Sequence, residues 1–169
     1  ISKPDLLELI SLIQRTDLEK DLLSNLLHIF TNRVPPGVDE TSSIKADFLY
    51  KLAIGEVNSQ VITPKDAVRL LGTMLGGYNI VHLIELLKSE KLAESVVLAL
   101  EESILIFDNL KEIYQLAEQG NKYASKVISH WAEANWFHSK LELANKITVT
   151  VFKVPGEINT DDLSPAQDA

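Results

Sequence analysis

The side chains capable of acid–base or metal chemistry are few, and they are scattered along the chain. His130 and His138 are eight residues apart, about two helical turns, so they can share one helix face. A metal-binding pair is usually closer and includes carboxylates, so structural or surface histidines are favoured. Glu101 and Glu102 are adjacent and point about 100° apart on a helix, which makes them a poor acid–base pair. The complete set of histidines is His28, His82, His130 and His138.

The composition excludes several kinds of site. The chain of 169 residues contains no cysteine, which excludes disulfides, zinc–thiolate sites, a cysteine nucleophile and cysteine ligation of an iron–sulfur cluster by this segment. The net charge of −8 and the lack of a Lys/Arg cluster disfavour a phosphate-binding surface. No uncharged apolar run reaches about 18 residues, so no membrane span is predicted.

A glycine-containing stretch at 70–80 joins two apolar runs with helical periodicity. It lacks the Lys-Ser/Thr ending of a phosphate loop and follows a predicted helix rather than a strand, so nucleotide binding is disfavoured. Gly76 and Gly77 are predicted to end the first helix, and Asn79 to cap the second. Gly72 lies inside the first helix, where glycine costs about 1 kcal/mol relative to alanine. Its presence there predicts the close approach of another backbone.

Two helix starts have strong local signals. At 63–66 a threonine cap is followed by proline and then by an acid at the third helical position, and at 2–5 a serine is followed by an early proline and an acid. The segment 31–40 contains two prolines and a glycine, which exclude a helix; a corner is favoured over a functional loop. Further helix boundaries are predicted at Thr16 or Asp17, Gly55, Asp108, Gly120 and Asn121.

The apolar pattern repeats. The stretches 67–87 and 96–116 align at an offset of 29 residues, which is the length of one helical hairpin. Each hairpin exposes an apolar face until a neighbour covers it, so the repeat predicts a mostly α-helical fold of stacked antiparallel hairpins. Because the repeat is degenerate, a globular helical bundle is the alternative.

The pattern changes near the C-terminus. Residues 146–154 are β-branched and partly alternating, which predicts a strand that Pro155 and Gly156 end. A lone strand cannot satisfy its own backbone, so the helical part is expected to span 1–143 and a truncated second domain 144–169. The missing initial Met also suggests a piece of a longer protein. Trp131, Trp136 and Phe137 are predicted to form the seam between the two parts, in preference to a partner-binding patch.

Four blocks of the sequence resemble the N-terminal region of the bacterial aconitase B family. They are residues 31–40, 70–80, 131–137 and 148–169, and the likeness is weakest over 1–30 and 90–125. The resemblance implies a HEAT-like α–α superhelix over 1–143, followed at 144–169 by the start of the aconitase swivel domain. In that family the cysteines of the [4Fe–4S] cluster, the catalytic histidines and the swivel serine would all lie beyond residue 169. The segment alone is therefore expected to bind no cluster and to be inactive.

The resemblance also implies a function for the parent protein. It would be a cytoplasmic bacterial hydro-lyase that interconverts citrate and isocitrate through cis-aconitate, with 2-methylisocitrate as a further substrate. The helical domain would shape access to the active site and supply a contact to a second subunit or to another protein. Two other functions are alternatives: a stand-alone helical adaptor, and a module that binds messenger RNA. The net negative charge of the chain disfavours the RNA-binding function.

One piece of the active site is implied within this chain. Aconitases carry a Thr-Asp-x-x-Ser element early in the swivel domain, and residues 160–164 match it. The resemblance implies that Asp161 orients a substrate-binding arginine and that Ser164 hydrogen-bonds in the same network. Asp162 stands where other branches often have histidine, so no role is carried over to it. The residues alone favour Asp161 and Ser164 as caps of a helix or turn before Pro165.

Overall fold

The computed structural model describes residues 2–31, 41–74, 77–103, 109–134, 146 and 148–150. This part of the chain forms helices and no strand. None of its helices has the length and apolarity needed to cross a bilayer. The helices are α1 (Lys3–Ile13), α2 (Lys20–Thr31), α3 (Ser42–Ile54), α4 (Pro64–Gly72), α5 (Ile80–Leu86), α6 (Ala93–Glu101), α7 (Leu110–Glu118) and α8 (Lys122–Ala132). The predicted corner at 31–40 lies almost entirely outside the described residues.

Capping boxes start α1 and α4, as predicted. The Thr63 hydroxyl accepts a hydrogen bond from the Asp66 backbone N–H at 3.2 Å, while the Asp66 carboxylate accepts from the Thr63 backbone N–H at 3.1 Å. Ser2 and Asp5 make the same pair of bonds at α1. Hydrogen bonds from Thr63 and from Ser2 lower the pKa of Asp66 and of Asp5, so both carboxylates stay ionised at the positive ends of their helices.

Two predicted glycine stops are confirmed. Gly55 ends α3 with φ 78°, and Gly120 follows α7 with φ 89°, in the left-handed region that other residues rarely adopt. Asn121 then caps α8, because its Oδ1 accepts from the backbone N–H groups of Tyr123 and Ala124, both at 3.0 Å.

Three other boundaries differ from the prediction or fall outside it. Helix α2 begins at Lys20, and Asp17 lies in the preceding turn, where Arg15 holds its carboxylate. The predicted cap Asp108 is outside the described residues. Helix α4 ends at Gly72 rather than at Gly76 and Gly77, because Met74 N–H donates to the Leu71 carbonyl in a tighter final turn.

The helices stack with the predicted period. Helix α6 begins 29 residues after α4, and α8 begins 29 residues after α6. Helix α4 packs against α6 and α6 against α8, while α3 packs on α4, α5 on α6 and α7 on α8. The buried residues Ala67, Val68 and Leu71 of α4 correspond at that offset to Val96, Val97 and Leu100 of α6. Stacked helical hairpins, and not an irregular bundle, are therefore the fold.

One apolar core runs through the stacked helices. Its contacts extend from Leu6 in α1 to Val127 in α8. Phe30 and Phe48 pack edge to face, with ring centroids 5.3 Å apart, and so join α2 to α3. Between the same hairpins, the Gln60 side-chain amide donates to the Thr16 carbonyl at 2.8 Å. Besides this shared core, the aromatic pair and the hydrogen bond help to attach the first hairpin to the array.

The chain divides into two compact units, Ile1–His138 and Ser139–Ala169. Within the second unit the structure describes only residue 146 and residues 148–150, and these four residues form no strand. The strand predicted at 146–154 otherwise lies outside the described residues and stays a prediction. The same holds for the domain boundary between 143 and 144.

Candidate functional site

The predicted active-site-proximal residues, Asp161 and Ser164, lie outside the described residues, as does His138. His28 is exposed near the end of α2. His82 lies between helices: its Nε2 is 2.9 Å from the Asp47 Oδ1, and its ring stacks on Tyr50 with centroids 4.7 Å apart. Within the ranges that the structure describes, no three His, Cys, Asp or Glu side chains are grouped to hold a metal ion.

Several polar contacts of the described residues lie together at the α6–α8 seam, formed by Glu94, Leu100, Glu101, Lys126, His130 and Trp131. The Lys126 ammonium donates to the Glu94 carboxylate at 2.8 Å, and the Trp131 indole N–H donates to the Leu100 carbonyl at 3.1 Å. The His130 Nδ1 forms a hydrogen bond with the Glu101 carboxylate. The Glu101 and His130 side chains are only 20% and 23% exposed, so this pair is partly shielded from water.

The electrostatics of the seam favour its ion pair. The hydrogen bond from Lys126 lowers the pKa of the Glu94 carboxyl, and the same bond raises the pKa of Lys126. Both groups are therefore charged over the whole physiological pH range. Because both side chains of this pair are largely exposed to solvent, it contributes little to the free energy of unfolding.

The contact between His130 and Glu101 was missed at the sequence level, although the signal was present. The two residues are 29 residues apart, which is the repeat offset, so they occupy equivalent positions on neighbouring stacked helices. Trp131 lies in the same seam, where its indole N–H donates to the Leu100 carbonyl, and its predicted part in a seam with a second domain stays a prediction. Trp136 and Phe137, the other members of that predicted seam, are outside the described residues.

Two asparagines fasten successive hairpins. The Asn121 side-chain amide donates to the Leu87 carbonyl at 3.0 Å, while its oxygen caps α8. The Asn79 side chain was predicted to cap α5, and this was wrong: its amide instead donates to the Leu71 carbonyl at 2.5 Å, across the corner. Asn79 is 1% exposed, and its Oδ1 has no hydrogen-bond partner among the described residues.

The described polar clusters are fasteners between helices. His82 joins α5 to α3, the seam joins α8 to α6, and Asn121 joins the start of α8 to the end of α5. The imidazoles of His82 and His130 are each hydrogen-bonded to a carboxylate on another helix. In the part of the chain that the structure describes, these polar side chains therefore connect helices.

We predict that Glu101→Gln lowers the free energy of unfolding by about 1 kcal/mol, because it weakens a partly shielded charge-assisted hydrogen bond to His130. Urea unfolding followed by circular dichroism measures the effect. The neighbouring Glu102 is exposed, so Glu102→Gln is the matched control and should change stability by less than about 0.5 kcal/mol. Equal effects of the two substitutions would contradict a specific role of Glu101.

The fold and the hydrogen bonds between its helices define the class of protein: an α-helical domain of stacked hairpins. Comparison with known proteins then gives the family. A family model described as "Aconitate B N-terminal domain" matches residues 1–137. The chain belongs to this family, and the resemblance seen in its sequence is confirmed.

Several relatives have high identity to the chain. Aconitate hydratase B of Escherichia coli (strain K12) is 54% identical over 144 residues, which is 85% of this chain and 17% of the relative. Aconitate hydratase B of Synechocystis is 51% identical over 146 residues, and that of Helicobacter pylori is 41% identical over 143 residues. The chain thus spans about 17% of the length of the relatives that it matches.

Proposed function

We propose that this chain is the N-terminal helical domain of an aconitate hydratase, which converts citrate to isocitrate through cis-aconitate and also acts on 2-methylisocitrate. The observation that carries the proposal is the 54% identity, over 85% of the chain, to a protein named aconitate hydratase B. The described fold agrees with an accessory role, because its polar side chains fasten helices. No observation favours a stand-alone adaptor.

The proposed organisation is a HEAT-like array over 1–143 followed by the first residues of a swivel domain at 144–169. The division of the chain into compact units after His138 supports a boundary in this region. In the parent enzyme the array would shape access to the active site and contact a second subunit or another protein. We further propose a cytoplasmic location in a bacterium; the bacterial sources of the relatives support the bacterial origin.

The iron–sulfur cluster proposed for the parent enzyme does not fit this chain. A [4Fe–4S] cluster is held by cysteine thiolates, and the chain has no cysteine. The ligands must therefore come from elsewhere in the parent protein, and no chemical step is assigned to the cluster here.

Asp161 and Ser164 are the residues of this chain proposed to lie beside the substrate. A tricarboxylate substrate is best bound by bidentate arginines, and a carboxylate behind an arginine fixes the direction of its guanidinium fork. In the proposal Asp161 performs this positioning and Ser164 hydrogen-bonds in the same network. The support is the match of residues 160–164 to the aconitase element.

In the complete enzyme, Asp161→Asn is expected to raise the KM for isocitrate by about tenfold, because one charge-assisted hydrogen bond to the arginine is weakened. Steady-state kinetics measure the change. The adjacent substitution Asp162→Asn is the matched control, since no role is proposed for that side chain. Unchanged kinetics for Asp161→Asn would make Asp161 a turn residue.

The activity itself is tested on the complete parent protein with a reconstituted cluster. The expected result is interconversion of citrate and isocitrate, with 2-methylisocitrate assayed in parallel, whereas the 169-residue chain alone should be inactive. A cluster-loaded parent that converts none of these substrates would overturn the proposal.

The same chain can be tested for messenger RNA by filter binding across a salt series. With a net charge of −8, we expect no binding even at low salt. Binding at low salt that falls as salt is added would contradict this expectation and would assign RNA contact to the segment.

A further inference from the structure

The α1–α2 hairpin is the end of the array that has the least cover. Each of its helices packs mainly against the other, and neither has comparably extensive contact with another described helix. Its inner face buries Leu6, Ile13 and Phe30 completely. In contrast, Leu22 and Ile29 of α2 are 47% and 50% exposed, on one face of that helix.

An open groove of about 280 Å³ lies between the two helices. Its lining is Asp5, Glu8, Leu9 and Leu12 from α1 and Ile29 from α2. The four α1 residues have the spacing i, i+3, i+4 and i+7, so they form one stripe about 10 Å long. Along that stripe the two acids come first and the two leucines follow. Ile29 of α2 lines the opposite side of the groove.

The acidic residues of the groove determine the sign of the charge that a ligand must carry. Hydrogen bonds from Ser2 lower the pKa of Asp5, so this carboxylate is ionised at any physiological pH. Among the residues that the structure describes, no Lys or Arg forms an ion pair with Asp5 or Glu8. An anionic lipid surface or a nucleic acid would be repelled here, whereas a cationic side chain would be attracted.

We propose that this groove binds a basic amphipathic helix of a partner protein. An apolar side chain of the partner would contact Leu9, Leu12 and Ile29, while a Lys or Arg three or four residues away would face Asp5 and Glu8. A third helix fits because the groove runs between two packed helices, as in other helix-in-groove complexes. The inference rests on the partner contact proposed above for the helical array, and it does not depend on the proposed enzymatic activity.

The test uses the full 169-residue chain and a synthetic helical probe. The probe is a peptide of about 18 leucines and lysines with leucine at i, i+3, i+4 and i+7, which is long enough to form a helix. Fluorescence anisotropy measures its affinity, and a leucine–glutamate peptide of the same pattern is the charge control. The lysine peptide is expected to bind and to protect α1 and α2 from hydrogen exchange, and the glutamate peptide is expected not to bind.

Two variants locate the binding. Glu8→Lys should weaken binding of the lysine peptide about fivefold, and Ile29→Gln should weaken it about tenfold. The control is Glu118, an exposed acid at the end of α7, and Glu118→Lys should change the affinity by less than about twofold. Both target side chains lie on the helix surface, and circular dichroism checks that each variant is folded.

Several results would overturn the proposal. An equal loss of affinity with Glu118→Lys would mean that the peptide follows only the net charge of −8. Self-association of the chain that Ile29→Gln abolishes would mean that a second copy fills the groove. Binding to this chain but not to the complete parent protein would mean that another part of the same polypeptide covers it.

Discussion

Asn79→Asp is expected to lower the free energy of unfolding by about 3–5 kcal/mol at neutral pH, one of the two largest effects that we predict for this chain. Asn79 is 1% exposed, and its amide nitrogen lies 2.5 Å from the Leu71 carbonyl oxygen. An aspartate there would be buried with a carboxylate oxygen against a carbonyl oxygen. Both the burial and the lost donor disfavour the ionised form.

The loss should depend on pH in a defined direction. Because the folded state disfavours the carboxylate, the pKa of the new acid is raised above its unfolded value of about 3.9. Below that pH the acid is protonated in both states, and its O–H can donate to the Leu71 carbonyl. As pH rises above about 3.9, the unfolded chain ionises first and stability falls until the folded pKa is reached. Urea unfolding of the variant and the unaltered chain, at about pH 4 and about pH 7, measures this difference.

Asn79→Ala separates the charge from the lost hydrogen bond. It removes the bond to Leu71 without burying an acid, so a loss of about 1–3 kcal/mol with no added pH dependence is expected. If the aspartate and alanine variants were equally stable at neutral pH, the position of residue 79 would have to be open to water.

Local sequence signals predicted several helix starts correctly. They could not predict where a side chain of the same type hydrogen-bonds to a distant part of the chain instead of capping its own helix. Thr63 and Asn121 cap their helices because the required partners are two or three residues away in the chain. Asn79 precedes an apolar helix in the same way, yet its amide bonds to Leu71, eight residues earlier. That choice depends on how the corner brings two helix ends together, and no local spacing encodes it.

The repeat carries more of the tertiary structure than any single motif. An offset of 29 residues predicted the stacking of α4 on α6, and it also relates Glu101 to His130. The offset does not transfer to the core of α8, where the buried residues are Ala124 and Val127 instead of the positions equivalent to Val96 and Val97. The internal repeat therefore predicts which helices stack, but not which positions of α8 are buried.

An interaction of the candidate site could be predicted only where both interacting residues lie within this chain. Apart from the match of residues 160–164 to the aconitase element, no local pattern distinguishes a substrate-positioning role of Asp161 and Ser164 from a turn, because the arginine that Asp161 is proposed to orient would come from the rest of the parent protein. The fasteners at His82 and His130, in contrast, have both partners within the chain. What limits the prediction is therefore whether the interacting residue lies within this chain, and not how specific the sequence motif is.

Gly72→Ala is expected to destabilise the chain by about 1–3 kcal/mol, although alanine is favoured over glycine by about 1 kcal/mol in a helix interior and by less at Gly72, which is the last residue of α4. A Cβ atom added at Gly72 would lie 2.7 Å from the Ala99 Cβ and 3.2 Å from the Ala99 Cα. A methyl group attached directly to the backbone cannot rotate away, so α4 and α6 would have to separate. The sign of the effect is thus opposite to that expected from helix propensity, and urea unfolding measures it.

A double-mutant cycle with Ala99→Gly tests whether that contact is the cause. Ala99→Gly alone should cost about 1 kcal/mol, since it places glycine inside α6. Combined with Gly72→Ala, it removes the 2.7 Å overlap and leaves the approach of 3.2 Å to the Ala99 Cα, so the pair should be less destabilised than the sum of the two single changes. Lys65→Ala, at an exposed position of the same helix, is the control and should change stability by less than about 0.5 kcal/mol. If Gly72→Ala were stabilising, or if the two changes were additive, the close approach of α4 to α6 would not be the reason for a glycine in this helix.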